Sequence, residues 1–311
     1  MKNNKQGILA LSILGSLTTA AALLGYLGRY YWLWDMLSHF QVQYLVVIGV
    51  IILGLLGMKS WIALCFIPFW LLSLTQTIPL YQSPTRPHRT TDSLSVACIN
   101  LLSSNLEHEL VRQYLAQQQA DVVILQEYNL VWQEALTEYV KDYDYQLMLP
   151  RSDNFGMALL SLVPMEGLRV VEIGISGIPT LLGTFQLGGQ AVTLIATHPR
   201  PPVGQTQFLE RNRHLADLGK LVRENPNQVM VIGDLNISSF SVHFSDLLDT
   251  SGLTDSRAGF GPQATWPSWG FPLRTTLDHC LLTPGLATLD RRVGPKLGSD
   301  HLPVWIKIGA E

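Results

Sequence analysis

The apolar run Val231-Ile232-Gly233 leads straight into Asp234 and, two residues on, Asn236. Side chains two apart on a strand share a face, so this carboxylate and carboxamide are expected to project together beyond the strand end. Asp and Asn are also common turn formers, and the pair alone settles nothing. Similar interruptions recur along the chain. VACIN ends in Asn100, DVVILQE in Glu127 and VTLIATH in His198; TTLDHCLL holds Asp278 and His279, and GSDH places Asp300 and His301 before the last apolar run. Each polar group falls at or near a strand terminus, where a shared crevice is commonly built.

Gathering carboxylates, amides and imidazoles in one buried place is unfavourable without hydrogen bonds or a metal to compensate. A divalent cation resolves the conflict. Hard ions such as Mg²⁺, with Mn²⁺ as the alternative, take carboxylate and amide oxygens and retain waters, so Glu127, Asn100 and Asp300 form the expected ligand set.

The ordered set Asn100, Gln126-Glu127, Thr197-His198, Gly233-Asp234-x-Asn236, Asp278-His279 and Ser299-Asp300-His301 resembles the endonuclease/exonuclease/phosphatase family, which includes deoxyribonucleases, sphingomyelinases and inositol-phosphate phosphatases. The match spans roughly residues 96–308. The resemblance implies an α+β fold, a four-layer α/β/β/α sandwich with its active site at one end. It further implies Glu127 as principal Mg²⁺ ligand with Asn100 and Asp300 nearby, Asp234 aligning the attacking water and Asn236 holding a phosphate oxygen. Asp278 would orient His301, and His198 would be the second imidazole.

Those roles suit in-line attack on a phosphodiester, which needs charge neutralisation, a proton acceptor for water and a donor to the leaving oxygen. Two imidazoles can share the proton transfers near neutral pH, each worth about 10²- to 10⁴-fold. Which is acid and which base stays open. One departure stands out: NFGMALLS offers Asn154 but no acid in its strand to support His198. Arg200, in the stiff PRPP loop, is either a phosphate contact or a surface charge. The Gly/Pro-rich segment 259–273, with Trp266, Trp269 and Phe271, is either a substrate or bilayer rim or an ordinary loop. His108, His214, His243 and His279 are assigned to packing or surface, and His88 to a linker.

The elements that must position these groups begin at residue 93. Alternating strand and helix patterns predict strands over 94–101 and 121–125, helices over 106–118 and 131–140, then strands at 157–162, 169–175, 181–187 and 191–197. A long helix over 205–223, a strand at 228–233, a short helix at 245–250 and strands at 276–282 and 302–308 complete the pattern. A domain over 93–311 can bury a substantial core. Cys98 and Cys280 lie in apolar strands, free or paired.

The first third differs sharply. Residues 1–89 hold six of the 21 Lys and Arg but only one of the 24 Asp and Glu, Asp35, leaving the rest with a formal net of −8. Apolar runs over 7–27, 42–58 and 61–80 approach the ~20 helical residues needed to cross a bilayer, so 1–81 reads as an anchor of three transmembrane helices and 82–92 as a linker. Aromatics at the run ends, Tyr30, Tyr31, Trp32, Trp34 and Trp61, favour the headgroup level. A secretory signal or a buried helical hairpin are the competing readings. An integral membrane protein with its catalytic domain extracytoplasmic is the expectation, although Lys and Arg counts do not decide the orientation. The expected activity is that of a Mg²⁺-dependent phosphoester hydrolase acting on nucleic acid or a lipid headgroup. The acidic domain argues mildly against tight binding of long polynucleotides. The rival is a tethered binding module without turnover.

Overall fold

Strands rich in Val, Ile and Leu pair into two six-stranded sheets in a computed structural model that describes residues 2–82 and 92–310. The expected linker 82–92, apart from its ends, and His88 lie outside the described residues. The strands are β1 (Ser93–Asn100), β2 (Val122–Gln126), β3 (Tyr145–Leu149), β4 (Met157–Ser161), β5 (Glu166–Ile173), β6 (Ile178–Leu187), β7 (Gln190–Thr197), β8 (Gln228–Asp234), β9 (Thr254–Asp255), β10 (Asp278–Leu282), β11 (Leu286–Val293) and β12 (Val304–Ala310). One sheet runs β11-β12-β1-β2-β4-β3 and the other β5-β6-β7-β8-β10-β9.

Alternation builds the layers. Val96, Cys98, Val122, Ile124, Leu194, Ala196, Met230, Ile232, Cys280 and Leu282 point between the sheets and form one apolar core. Ala97, Ile99, Val123 and Leu125 face outward against α5 (His108–Gln118), α6 (Leu130–Ala135) and α7 (Thr137–Val140). Val229, Val231 and Leu281 face outward against α8 (Gln205–Arg223) and α9 (Val242–Ser251). The result is the four-layer sandwich. The helix expected over 131–140 divides at Leu136 into α6 and α7, and β3, β9 and β11 add to the expected strands. Cys98 and Cys280 are buried and unpaired.

Ahead of the sandwich stands a helical stem: α1 (Lys2–Gly25), α2 (Trp32–Ser38), α3 (Gln41–Gly57) and α4 (Ala63–Thr77). Ile48, Ile51, Leu55 and Phe66 pack together there, while Leu9, Leu17, Val50 and Leu53 are exposed. Residues 4–25 and 63–81 are long and apolar enough to cross a membrane; the third run qualifies when α2 and α3, bent by 64°, are counted as one. Gly7 lies against Met58, so the start of α1 sits beside the end of α3. Contacts with the sandwich come from the opposite end. Arg29 pairs with Asp246 at 2.9 Å, Gln43 Nε2 donates to the carbonyls of Pro272 and Arg274, and the amides of Gly259 and Gly261 donate to Leu80 O.

Candidate active site

Continuing the inward-facing positions to the strand ends locates the site. After Val96 and Cys98 comes Asn100; after Val122 and Ile124, Gln126; after Met230 and Ile232, Asp234; after Leu282 and Cys280, read backwards, Asp278; after Leu194 and Ala196, His198. Strand after strand, apolar packing gives way to a polar side chain at the same end of the sandwich. The β8–β10 register sets Asp234 directly opposite Asp278. Asp234 Oδ2 accepts from Asn100 Nδ2 at 3.2 Å and lies 3.4 Å from Nε2 of both His198 and His301. His301 Nδ1 donates to Asp278 Oδ2 at 2.8 Å. Arg291, buried on β11, donates to the Asp278 carbonyl at 3.1 Å and fixes that strand end.

Burial disfavours the charges on His301 and Asp234, but the opposite charges beside them outweigh it. Asp278 and Asp234 hold His301 far above the usual imidazole range, up to about 10. Against the penalty of burial, His301 and His198 hold the Asp234 carboxyl below the usual carboxylate range. His198 lacks the carboxylate that His301 has on its Nδ1. Its Nδ1 is buried without a hydrogen-bond partner, and its ring lies 5.6 Å from that of Phe155, in keeping with the missing acid. Arg200 turns instead toward Glu210, 3.4 Å away, and covers the Phe155 ring.

Asp234 and Asn236 form a turn as well as lining the site. Strand β8 stops at Asp234, whose Oδ1 accepts the Asn236 amide at 2.9 Å, and Asn236 takes a left-handed φ of 50°. The two therefore do not share a strand face, yet both line one cavity of about 490 Å³ with Glu127, His198, Trp266, Asp300 and His301. Asn236 Nδ2 donates to Pro199 O at 2.9 Å. Gly233 is required by close approach: a Cβ there would lie 2.1 Å from Thr197 O.

Glu127 leaves β2 with a left-handed φ of 56°, and its Oε2 accepts from the Ser103 amide at 3.0 Å and the Ser103 hydroxyl at 3.2 Å. Asp300 Oδ2 accepts from Trp266 Nε1 at 3.0 Å, while its Oδ1 is buried with no partner. An orphaned carboxylate oxygen is costly unless a cation or water meets it, so Asp300 fits a hard divalent ion, and Glu127 is a second carboxylate lining the same cavity. Asn100 Oδ1 already accepts from the Leu102 amide at 3.1 Å, leaving one lone pair for an ion. Asp234, Asp278 and His301 also bring ligand atoms within 4.8 Å of one another, but the His301–Asp278 hydrogen bond accounts for that grouping.

Three further residues take part in the site. Gln126 ties the sheets together, its Nε2 donating to Thr197 O at 3.0 Å and its Oε1 accepting the Asp234 amide at 2.9 Å. Met36 and His39, from and just after α2, line the cavity. His214 and His279 are packing residues as expected, bonded to the Thr197 hydroxyl and the Ile237 carbonyl.

The sequence model of the Endonuclease/Exonuclease/phosphatase family matches residues 97–301, and the chain belongs to that family. Solved structures share its fold. D. rerio TDP2 complexed with a single-strand DNA product is 18% identical with a TM-score of 0.59, over 70% of this chain and 99% of that one. The human Nocturnin catalytic domain with bound sulfate is 17% identical with a TM-score of 0.57, over 75% and 98%. A Leptotrichia buccalis family member is 17% identical with a TM-score of 0.57, over 69% and 99%. No curated protein sequence matches the chain significantly.

Proposed function

We propose that the protein is a membrane-anchored, Mg²⁺-dependent phosphoester hydrolase whose substrate phosphate belongs to a lipid headgroup. The observation that carries the lipid assignment is the wall formed by Met36 and His39, which places the stem beside the reacting groups. Trp269 and Phe271, 75% and 83% exposed, lie just before Pro272, whose carbonyl is bonded to Gln43 on α3, so this rim also lies beside the stem. Exposed aromatics at such a level suit the headgroup region.

Glu127 and Asp300, with Asn100, would hold the ion, which when bound draws charge from the phosphate oxygens. Asp234 aligns the attacking water. Asn236 has one amide hydrogen engaged by Pro199 and offers the other to a phosphate oxygen. His301, kept cationic, faces the developing negative charge and protonates the leaving oxygen; Asp278 fixes its tautomer. His198 is the second imidazole, on the other side of Asp234.

The stem is read as three crossings; with the end bearing Lys5 and Lys59 taken as cytoplasmic, an odd number of crossings makes the catalytic domain extracytoplasmic. Protease added outside intact cells should cleave the domain; cleavage only after lysis would reverse the orientation.

A nuclease is the second reading, favoured by the fold neighbour that holds single-strand DNA. Purified full-length protein with Mg²⁺ should hydrolyse phospholipid in vesicles faster than DNA or RNA. Hydrolysis of nucleic acid alone would eliminate the lipid assignment. A tethered binding module is disfavoured by the complete set of ligand, acid and water-aligning groups; unchanged cellular function in Glu127→Ala and His301→Ala variants would restore it.

A further inference from the structure

Asp35 is the single acid among the first 89 residues, and burying a lone carboxylate in so apolar a stretch is costly unless something specific receives it. Its side chain is fully buried, and so is that of its partner, Arg211 on α8, whose Nη2 donates to Asp35 Oδ2 at 2.8 Å. The Ser241 hydroxyl donates to Asp35 Oδ1 at 2.5 Å while its oxygen accepts the His243 amide and caps α9. A carboxylate of the stem thus closes a polar network belonging to the sandwich.

The network ends at the active site. Arg211 Nη1 donates to the backbone carbonyl of Asn236 at 3.0 Å. Asn236 has a left-handed backbone, uncommon for a residue with a side chain, and such a conformation persists only where its surroundings hold it. Three bonds do so here: its amide to Asp234, its side chain to Pro199 and its carbonyl to Arg211. The last depends on a guanidinium that is buried beside Asp35. Asn212 Oδ1 also accepts from this guanidinium, but as a neutral amide it cannot replace the missing countercharge. From the same stem segment, Met36 and His39 line the cavity, and the Thr275 hydroxyl donates to His39 O at 3.1 Å, three residues before Asp278.

We propose that the stem completes the active site: Asp35, acting through Arg211, is a positioning residue for Asn236, so that competence for catalysis requires α2 to be docked. This builds on the reading of Asn236 as a phosphate contact. It makes the membrane segment more than a tether.

The test uses full-length protein in detergent. Removing Asp35 alone strands a buried cation, so the main variant is the double replacement Asp35→Leu with Arg211→Met, which leaves no unpaired charge. Asp35→Asn is the second variant, and Arg29→Ala is the control, because it breaks the exposed stem–sandwich pair with Asp246 away from the cavity. Two readouts are taken: kcat and KM for bis(p-nitrophenyl) phosphate with Mg²⁺, a soluble probe needing no bilayer, and calorimetric titration with inorganic phosphate and Mg²⁺. The double variant should lose at least tenfold in kcat and bind phosphate at least fivefold more weakly, with binding stoichiometry per mole and melting transition preserved. Arg29→Ala should stay within twofold of the parent in both. A merely structural role would lower the stoichiometry while leaving the affinity of the folded fraction intact, and that result overturns the proposal, as does a folded double variant within twofold of the parent. If the double variant does not fold, Asp35→Asn decides by the same criteria. If the parent binds phosphate without hydrolysing any ester, the hydrolase reading fails and the affinity comparison still decides the coupling; a parent that binds no phosphate overturns both.

Discussion

Replacing Asp278 by Asn changes almost nothing in shape and removes one charge 2.8 Å from His301 Nδ1, where both groups are buried. Asn can still accept the Nδ1 hydrogen through its oxygen, so ring orientation survives. What changes is the charge balance. For charge centres about 4 Å apart at an effective dielectric near 20, the lost attraction is about 4 kcal/mol, or about three pKa units. The parent imidazole, held up to about 10 by Asp278 and Asp234, would then fall toward the ordinary range. A raised imidazole pKa keeps the cation present below it and loses it as pH rises through it. The parent therefore retains imidazolium across pH 6 to 8.5, while the variant discharges within that window. Expected kcat on a soluble dialkyl phosphodiester with Mg²⁺, whose alkoxide leaving group needs the proton, is about tenfold below the parent at pH 6 and about 10²- to 10³-fold below at pH 8.5, within the span of one general acid. A folded variant within twofold of the parent across this range would refute the assignment of His301 as the charged donor. A deficit independent of pH would refute the charge argument and leave only geometry.

Glu127→Ala should lower hydrolysis at least 100-fold without changing the melting transition, and chelation with EDTA should do the same to the parent, reversed by Mg²⁺; a parent indifferent to EDTA removes the metal from the account. Gln126→Leu leaves the Asp234 amide and Thr197 carbonyl unpaired in a buried place, at about 1–3 kcal/mol each, so denaturant unfolding should show a loss of about 2–6 kcal/mol; a loss under 1 kcal/mol contradicts the cross-link. Burial, with Arg257 adding to it, lowers His279 to about 4. The unfolded chain takes that proton first, and stability is lost as pH falls from about 6.5 toward 4, about 2 kcal/mol from this group by pH 5. His279→Gln should flatten the stability curve between pH 6.5 and 5; an unchanged slope assigns it to other groups. Trp269→Ser with Phe271→Ser should slow hydrolysis of vesicle lipid at least fivefold and leave the soluble ester within twofold; equal effects on both would show that the rim does not engage lipid.

Period-two alternation made the strands of the core legible, and the abrupt polar residues at their ends marked the site, because an inward-facing position that suddenly turns polar signals the edge of an apolar layer. Long α8 was legible from end to end for the same kind of reason, one apolar stripe at helical spacing. β3 and β11 were not. The first is partly exposed throughout, and the second carries Asp290, Arg291 and Arg292 in a bulged register, so neither shows a clean alternation. Gln126 was visible as half of Gln-Glu, but an amide that joins two sheets looks no different in sequence from one facing water. Asp35 was conspicuous by composition, yet its partner lies 176 residues away, and nothing local in either segment connects them. The Asp234–Asn236 expectation failed at one backbone angle, since the strand ended two residues earlier than a shared face required.

Because the stem–sandwich contacts among the described residues gather at one end of the helices, a bilayer crossed by those helices would meet the cleft at a set height and attitude. Under the proposed insertion, enzyme and ester would meet by lateral diffusion in two dimensions, where even a scarce lipid has a high effective concentration. Encounter would then depend on the number of substrate molecules per unit area of leaflet, so diluting the vesicles at fixed composition should leave the rate per enzyme unchanged, whereas diluting the substrate lipid with inert lipid should lower it.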